Sequence, residues 1–138
     1  MPSDAFPRLQ RLVRRLQEHE PAVPPSGNSL VVYGYIRTPE SEPGYANACG
    51  DLLRWWAAEA HWELGAIFRD LGVGSSQLVR PGFTGLLDVL HLPDTAMAIV
   101  VERRQLSRKP MDAKRFSSAI RRTGARLQVL ADELDPPP

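Results

Sequence analysis

The sequence predicts an α/β domain, a mostly parallel sheet flanked by helices, with an extra amphipathic helix at its N-terminus. Two stretches, residues 29–36 and 95–101, are almost continuously apolar, as strands covered on both faces are. Segments with apolar residues at helical spacing alternate with these and with two shorter strand-like runs. Such alternation implies parallel pairing through right-handed crossovers. A chain of 138 residues is long enough for one domain with one core.

Residues 1–20 hold the first helix. Phe6, Leu9, Val13 and Leu16 recur along one stripe, Ser3 or Asp4 can cap the start, and Pro7 fits the first turn. Arg8, Arg11, Arg14 and Arg15 crowd the remaining surface. A basic amphipathic helix suits DNA, anionic lipid or a protein partner; it equally suits packing on its own domain with the arginines in water. Residues 21–28, rich in Pro and Gly, read as a semi-extended linker, which makes the helix an appendage to the unit that follows.

That unit spans residues 29–134. Its first strand, 29–36, leads into a helix over 45–60 with Leu52, Leu53, Trp56 and Ala60 on or near one face. A second strand, 63–68, is followed by a Gly/Ser-rich loop over 69–79. The helix over 81–90 carries Pro81 in its first turn and Phe83, Leu86, Leu87 and Leu90 on its apolar stripe. The third strand, 95–101, runs into a charged loop over 102–109. A helix over 111–123 stops at Gly124, a fourth strand covers 126–130, and 135–138 is a disordered tail.

Composition excludes several classes. No apolar run approaches the roughly 20 residues of a membrane span, and the N-terminus lacks signal-peptide design, so a cytoplasmic protein is expected. A single cysteine, Cys49, leaves no disulfide framework, and His19, His61 and His91 are isolated, so no metal site and no cofactor are expected. The net charge of +1 is far from that of a dedicated nucleic-acid-binding domain, so such a role needs a local basic patch.

The candidate chemistry lies at strand ends, where ligands gather in open α/β sheets. Tyr33, Tyr35 and Arg37 alternate onto one face of the first strand. An Arg and a Tyr there suit an anion such as phosphate, or a plain surface ion pair beside a half-buried ring. Asp70 opens the Gly-rich loop, Arg80 precedes Pro81, and Arg103, Arg104, Arg108 and Lys109 concentrate charge after the third strand. If that loop turns helically, Gln105 and Arg108 share a side.

The order and spacing of these residues resemble the catalytic domain of the serine recombinases, the resolvase/invertase family, across residues 30–131. The resemblance rests on Tyr35-Ile36-Arg37, Asp70, Arg80-Pro81-Gly82 and Leu106-Ser107-Arg108 in register, with residues 124–130 similar to the family's fourth strand. In that family a serine attacks a DNA phosphodiester while arginines stabilise charge on the phosphate. The resemblance implies phosphate- or DNA-binding roles for Tyr35, Arg37, Asp70, Arg80 and Arg108.

Three departures coincide. Pro39 stands at the nucleophile position and has no hydroxyl. Arg104 stands where the family has an aspartate, and Gln105 where it has an arginine. These imply a catalytically inactive, resolvase-like regulatory, DNA-associated or protein-interaction module, with no catalytic residue of its own. Self-association or a protein partner through residues 3–20, and weak contact with a DNA backbone, are the expected interactions. The rival readings are an active recombinase or nickase using Thr38 or Ser41, and a small-molecule-binding α/β domain of the same topology.

Overall fold

The fold is described from a computed structural model that covers residues 5–18, 31–38, 43–74 and 77–134, with side chains described from Pro7 and, in the second helix, from Gly44. Four strands form one sheet: β1 (Val31–Thr38), β2 (Glu63–Leu71), β3 (Thr95–Val100) and β4 (Arg126–Val129). Their order is β2-β1-β3-β4 and every pairing is parallel. The helices are α1 (Ala5–Gln17), α2 (Pro43–Glu59), α3 (Pro81–Leu90) and α4 (Pro110–Arg122), with short 3-10 turns at Arg103–Gln105 and Leu130–Glu133. The expected α/β architecture is therefore present.

Strand alternation divides the core in two. Val32 and Ile36 of β1, with Met97 and Ile99 of β3, face the helix pair α1 and α2. Tyr35, Ala98 and Val100 face α3 and α4 across the sheet, with Phe83, Leu86, Phe116 and Ile120. At Gly34 the sheet meets α2 closely: a Cβ there would lie 3.0 Å from Leu53 and 3.1 Å from Ile67.

Element boundaries differ from expectation where pairing continues past the apolar run. The second strand was expected to end at Phe68, but it runs to Leu71, because Arg69, Asp70 and Leu71 pair with Ile36, Arg37 and Thr38. Asp70 is thus a strand residue opposite Arg37, not the opening of a loop. The expected linker (21–28), the tail (135–138), Pro39 and Ser41 lie outside the described residues.

The N-terminal helix is no appendage. Leu9 and Leu16 are each 1% exposed and belong to the same core cluster as Trp56, Ile36 and Leu130, while Leu12 and Val13 pack at its edge. The stripe that could have met a partner is covered by α2 and the turn at Leu130–Glu133. Replacing Leu9 with Ala is expected to destabilise the whole domain by about 3 kcal/mol, the range for emptying a buried leucine site. Urea unfolding followed at Trp56 would report it as one shifted transition with unchanged slope.

Candidate functional site at the strand ends

The carboxyl ends of β1, β2 and β3 bring together the residues singled out in the sequence. Asp70 is 5% exposed and accepts hydrogen bonds from the Gly82 backbone N–H at 2.7 Å, the Phe83 N–H at 2.8 Å and the Tyr35 hydroxyl at 2.7 Å. Those two amides are among the first of α3, which have no partners inside the helix, so a carboxylate from a neighbouring strand caps it. The arrangement requires glycine at position 82. A Cβ there would sit 2.5 Å from the Arg69 carbonyl oxygen and 2.9 Å from the Asp70 carboxyl carbon.

Tyr35 is fully buried, edge-on to Phe83 at 5.4 Å. Burial, then its bond to Asp70 and that carboxylate's charge, hold its phenol well above the ordinary value, with Arg80 pulling weakly the other way. It is a neutral donor across the physiological range.

The two inner arginines are turned inward. Arg37 is 2% exposed. Its guanidinium donates to the carbonyls of Gln105 at 3.3 Å, Val73 at 3.0 Å and Arg104. Burial pushes its pKa down to about 10, and the positive charges of Arg80, Arg108 and Arg104 add to the effect. Arg80 is 1% exposed, donates to the carbonyls of Gln77 at 2.8 Å and of Leu106, and lies 3.9 Å over the Phe116 ring. Arg108 is exposed at the rim. The arginines do converge, and their charges act on one another; Arg37 and Arg80 brace three loops through backbone carbonyls.

Sequence reasoning missed Tyr45 and the positive role of Gln105. Gln105 is 1% exposed; its side-chain oxygen accepts the Arg37 backbone N–H at 2.7 Å and its amide donates to the Tyr45 hydroxyl at 3.0 Å. Arg104 donates to the same hydroxyl at 3.2 Å and to Glu102 at 3.0 Å. For Arg104, burial lowers the pKa, but Tyr45 and Glu102 outweigh it and the net shift is upward. On β1 the Thr38 hydroxyl is fully buried and has no hydrogen-bond partner among the described residues.

Beneath this network lies Cys49, fully buried beside Tyr45. Burial pushes the thiol up to about 12 from 9.0 and the Tyr45 phenol up to about 12 from 10.0. For both groups the folded chain holds the proton more tightly than the unfolded one. Their contribution is intact below pH 9 and is lost as pH rises toward 12, with a slope of up to about 1.4 kcal/mol per pH unit per group. Thermal unfolding scans from pH 7.5 to 11 should show Tm falling above pH 9. Cys49→Ser, whose hydroxyl does not titrate there, should flatten part of that fall.

A parallel α/β sheet whose strand ends gather Tyr35, Arg37, Asp70, Arg80 and Arg108 has the architecture of a serine recombinase catalytic domain. The comparisons agree. The family described as "Resolvase, N terminal domain" matches residues 32–137, well over half of the chain, and the chain belongs to that family. Similar solved structures include the N-terminal catalytic domain of TP901-1 integrase, with a TM-score of 0.67 at 19% identity, covering 74% of this chain and 79% of that one. The C-terminal catalytic domain of ISC1926 TnpA, an IS607-like serine recombinase, gives 0.65 at 13% identity, covering 72% and 67%. A resolvase family site-specific recombinase from Streptococcus pneumoniae gives 0.63 at 17% identity, covering 75% and 73%. At these identities the likeness is one of fold. Among curated proteins, none matches the sequence.

Proposed function

We propose that this chain is a noncatalytic member of the resolvase family, a regulatory or DNA-associated module. The observation that carries the reading is the state of Arg37: its guanidinium donates to three carbonyls of its own chain. An arginine that clamps a scissile phosphate must aim those donors outward. Pro39 at the expected nucleophile position supports the same reading, as do Arg104 and Gln105 in place of an aspartate and an arginine. Tyr35, Arg37, Asp70, Arg80 and Arg108 then form a vestigial phosphate site, with Arg108 at its rim as the contact for a DNA backbone. A cytoplasmic location accompanies the proposal; no described helix is long and apolar enough to cross a membrane. Self-association or a protein contact through residues 3–20 is also proposed. With Leu9 and Leu16 buried, it uses the outward face of α1 and is checked by sedimentation equilibrium.

The reading is tested with a nicked DNA duplex that traps covalent intermediates. No protein–DNA adduct should survive denaturing electrophoresis. An adduct abolished by Thr38→Val or Ser41→Ala would overturn it and establish an enzyme with a displaced nucleophile. The burial of the Thr38 hydroxyl weighs against that hydroxyl as an attacking group, since an attacker must reach its phosphate.

A further inference from the structure

Away from the strand ends, α1 and the segment after β3 enclose a second feature. A cleft of about 290 Å3 is lined by Arg8, Arg11, Leu12, Arg15, Glu102 and Ala131. Residues 8, 11, 12 and 15 fall on one side of a helix, so three guanidinium groups stand along one wall. Helix α1 contains four arginines and no acidic residue. Like charges three and four residues apart repel, which weakens an isolated helix. Here they are retained beside a stripe that packs into the core, on a helix held rigidly in place.

The cleft contains a single carboxylate, Glu102, bonded to Arg8 at 3.0 Å and to Arg104 at 3.0 Å. Three cations against one anion leave the lining electropositive. Arginine forks favour oxyanions that accept two parallel bonds. Its other lining residues, Leu12 and Ala131, are aliphatic, so nothing in the lining stacks a nucleobase. The chemistry therefore selects the phosphate and not the group that bears it.

We propose that the cleft between α1 and the segment after β3 is a phosphate-binding site, formed by Arg8, Arg11 and Arg15 and separate from the strand-end site. Its ligand is a phosphate group carried by a soluble molecule, either a free diphosphate or the backbone of a nucleic acid. The site recognises charge and geometry without sequence. It communicates with the strand ends through Glu102, which holds Arg8 on one side and Arg104 on the other. A phosphate that draws Arg8 from Glu102 loosens the first link of a chain that continues through Arg104 and Tyr45 to Gln105.

The test uses the full chain with two soluble probes, inorganic pyrophosphate and a 20-base-pair duplex of arbitrary sequence. Each is titrated by calorimetry or fluorescence anisotropy at several salt concentrations. Arg11→Glu/Arg15→Glu should weaken the probe that binds by at least tenfold. With DNA, the salt dependence of log K should become shallower by about two, one for each lost phosphate contact. Arg108→Ala should leave cleft binding in place, which separates this proposal from the vestigial strand-end site. Duplex binding tighter than pyrophosphate identifies a nucleic-acid backbone, and pyrophosphate binding with no gain for the duplex identifies a small ligand. Arg11→Gln/Arg15→Gln removes charge without reversing it and should give the same order of loss should the glutamate variant not fold. The proposal is overturned if neither probe binds, if the double variants bind as the parent does, or if Arg108→Ala abolishes the binding. Binding confined to anionic phospholipid vesicles would also overturn it.

Discussion

Replacing Asp70 with Asn is expected to destabilise the protein by about 3 kcal/mol, the scale of hydrogen bonds to a buried ionised group. The carboxylate accepts from three donors: the Gly82 and Phe83 amides and the Tyr35 hydroxyl. Asparagine offers one oxygen and one NH2 group. Whichever way the amide turns, its NH2 meets at least one N–H or O–H that also needs an acceptor. The substitution further removes negative charge from the first turn of α3, where it opposes the partial positive charge of the helix terminus. At roughly 4 °C per kcal/mol for a domain of this size, Tm should fall by about 12 °C. Tyr35→Phe provides the comparison. It removes one of the three bonds and leaves both amides satisfied, so it should cost about 1 kcal/mol. If Asp70→Asn unfolds at the parental temperature, the carboxylate is no structural cap. If Tyr35→Phe costs as much as Asp70→Asn, the amide bonds contribute little.

This network shows how far the sequence could be read. The strand order follows from apolar runs and alternating helices, because a parallel sheet must bury both faces, and burial leaves a composition signal. Tyr35, Arg37, Asp70 and Arg80 could be grouped because each is polar beside an apolar element. What they bond to could not be read. The partners of Arg37 and Arg80 are carbonyls of Val73, Gln77, Arg104, Gln105 and Leu106, and a carbonyl is present at every residue whatever its side chain. A pair of arginines held for phosphate and a pair held for loop carbonyls therefore look alike in the sequence. The extension of β2 to Leu71 was hidden for a related reason. Its last pairs are backbone pairs carried by Arg69 and Asp70, residues that strand composition disfavours. The fate of α1 turned on whether its stripe met its own core or another surface, a choice that periodicity alone does not make.

Gln105 shows the limit most sharply, and it leads to the second large expectation. From the sequence, glutamine at this position reads as a loss of charge and of a bidentate fork. In the fold it supplies an acceptor that nothing else offers. The recorded pairing of β1 with β3 ends at Gly34, opposite Ile99, so beyond that point β1 lacks a ladder neighbour on the β3 side. The Arg37 N–H is buried there, and the Gln105 oxygen satisfies it at 2.7 Å. Substituting Gln105→Arg, the residue the family favours, removes that acceptor. It also adds a cation where Arg37 is already depressed by Arg80, Arg108 and Arg104. An unsatisfied buried amide costs about 1–3 kcal/mol and an uncompensated buried charge several more. The expected loss is thus about 4 kcal/mol, enough to leave a marginal domain partly unfolded at 37 °C. Gln105→Glu keeps an acceptor and faces arginines, so it should stay within about 1 kcal/mol of the parent despite losing the donor to Tyr45. The double substitution Arg104→Asp/Gln105→Arg returns both positions to the family's residues. The Arg104 side chain donates to Glu102 and Tyr45, and an aspartate would set a second carboxylate beside Glu102 with no donor to Tyr45. Its chemical denaturation midpoint should lie below that of the parent by at least as much as the single Gln105→Arg. A double variant as stable as the parent would mean that the strand ends still accommodate the family's charge pattern, and the case for a rebuilt, noncatalytic site would lose its structural basis.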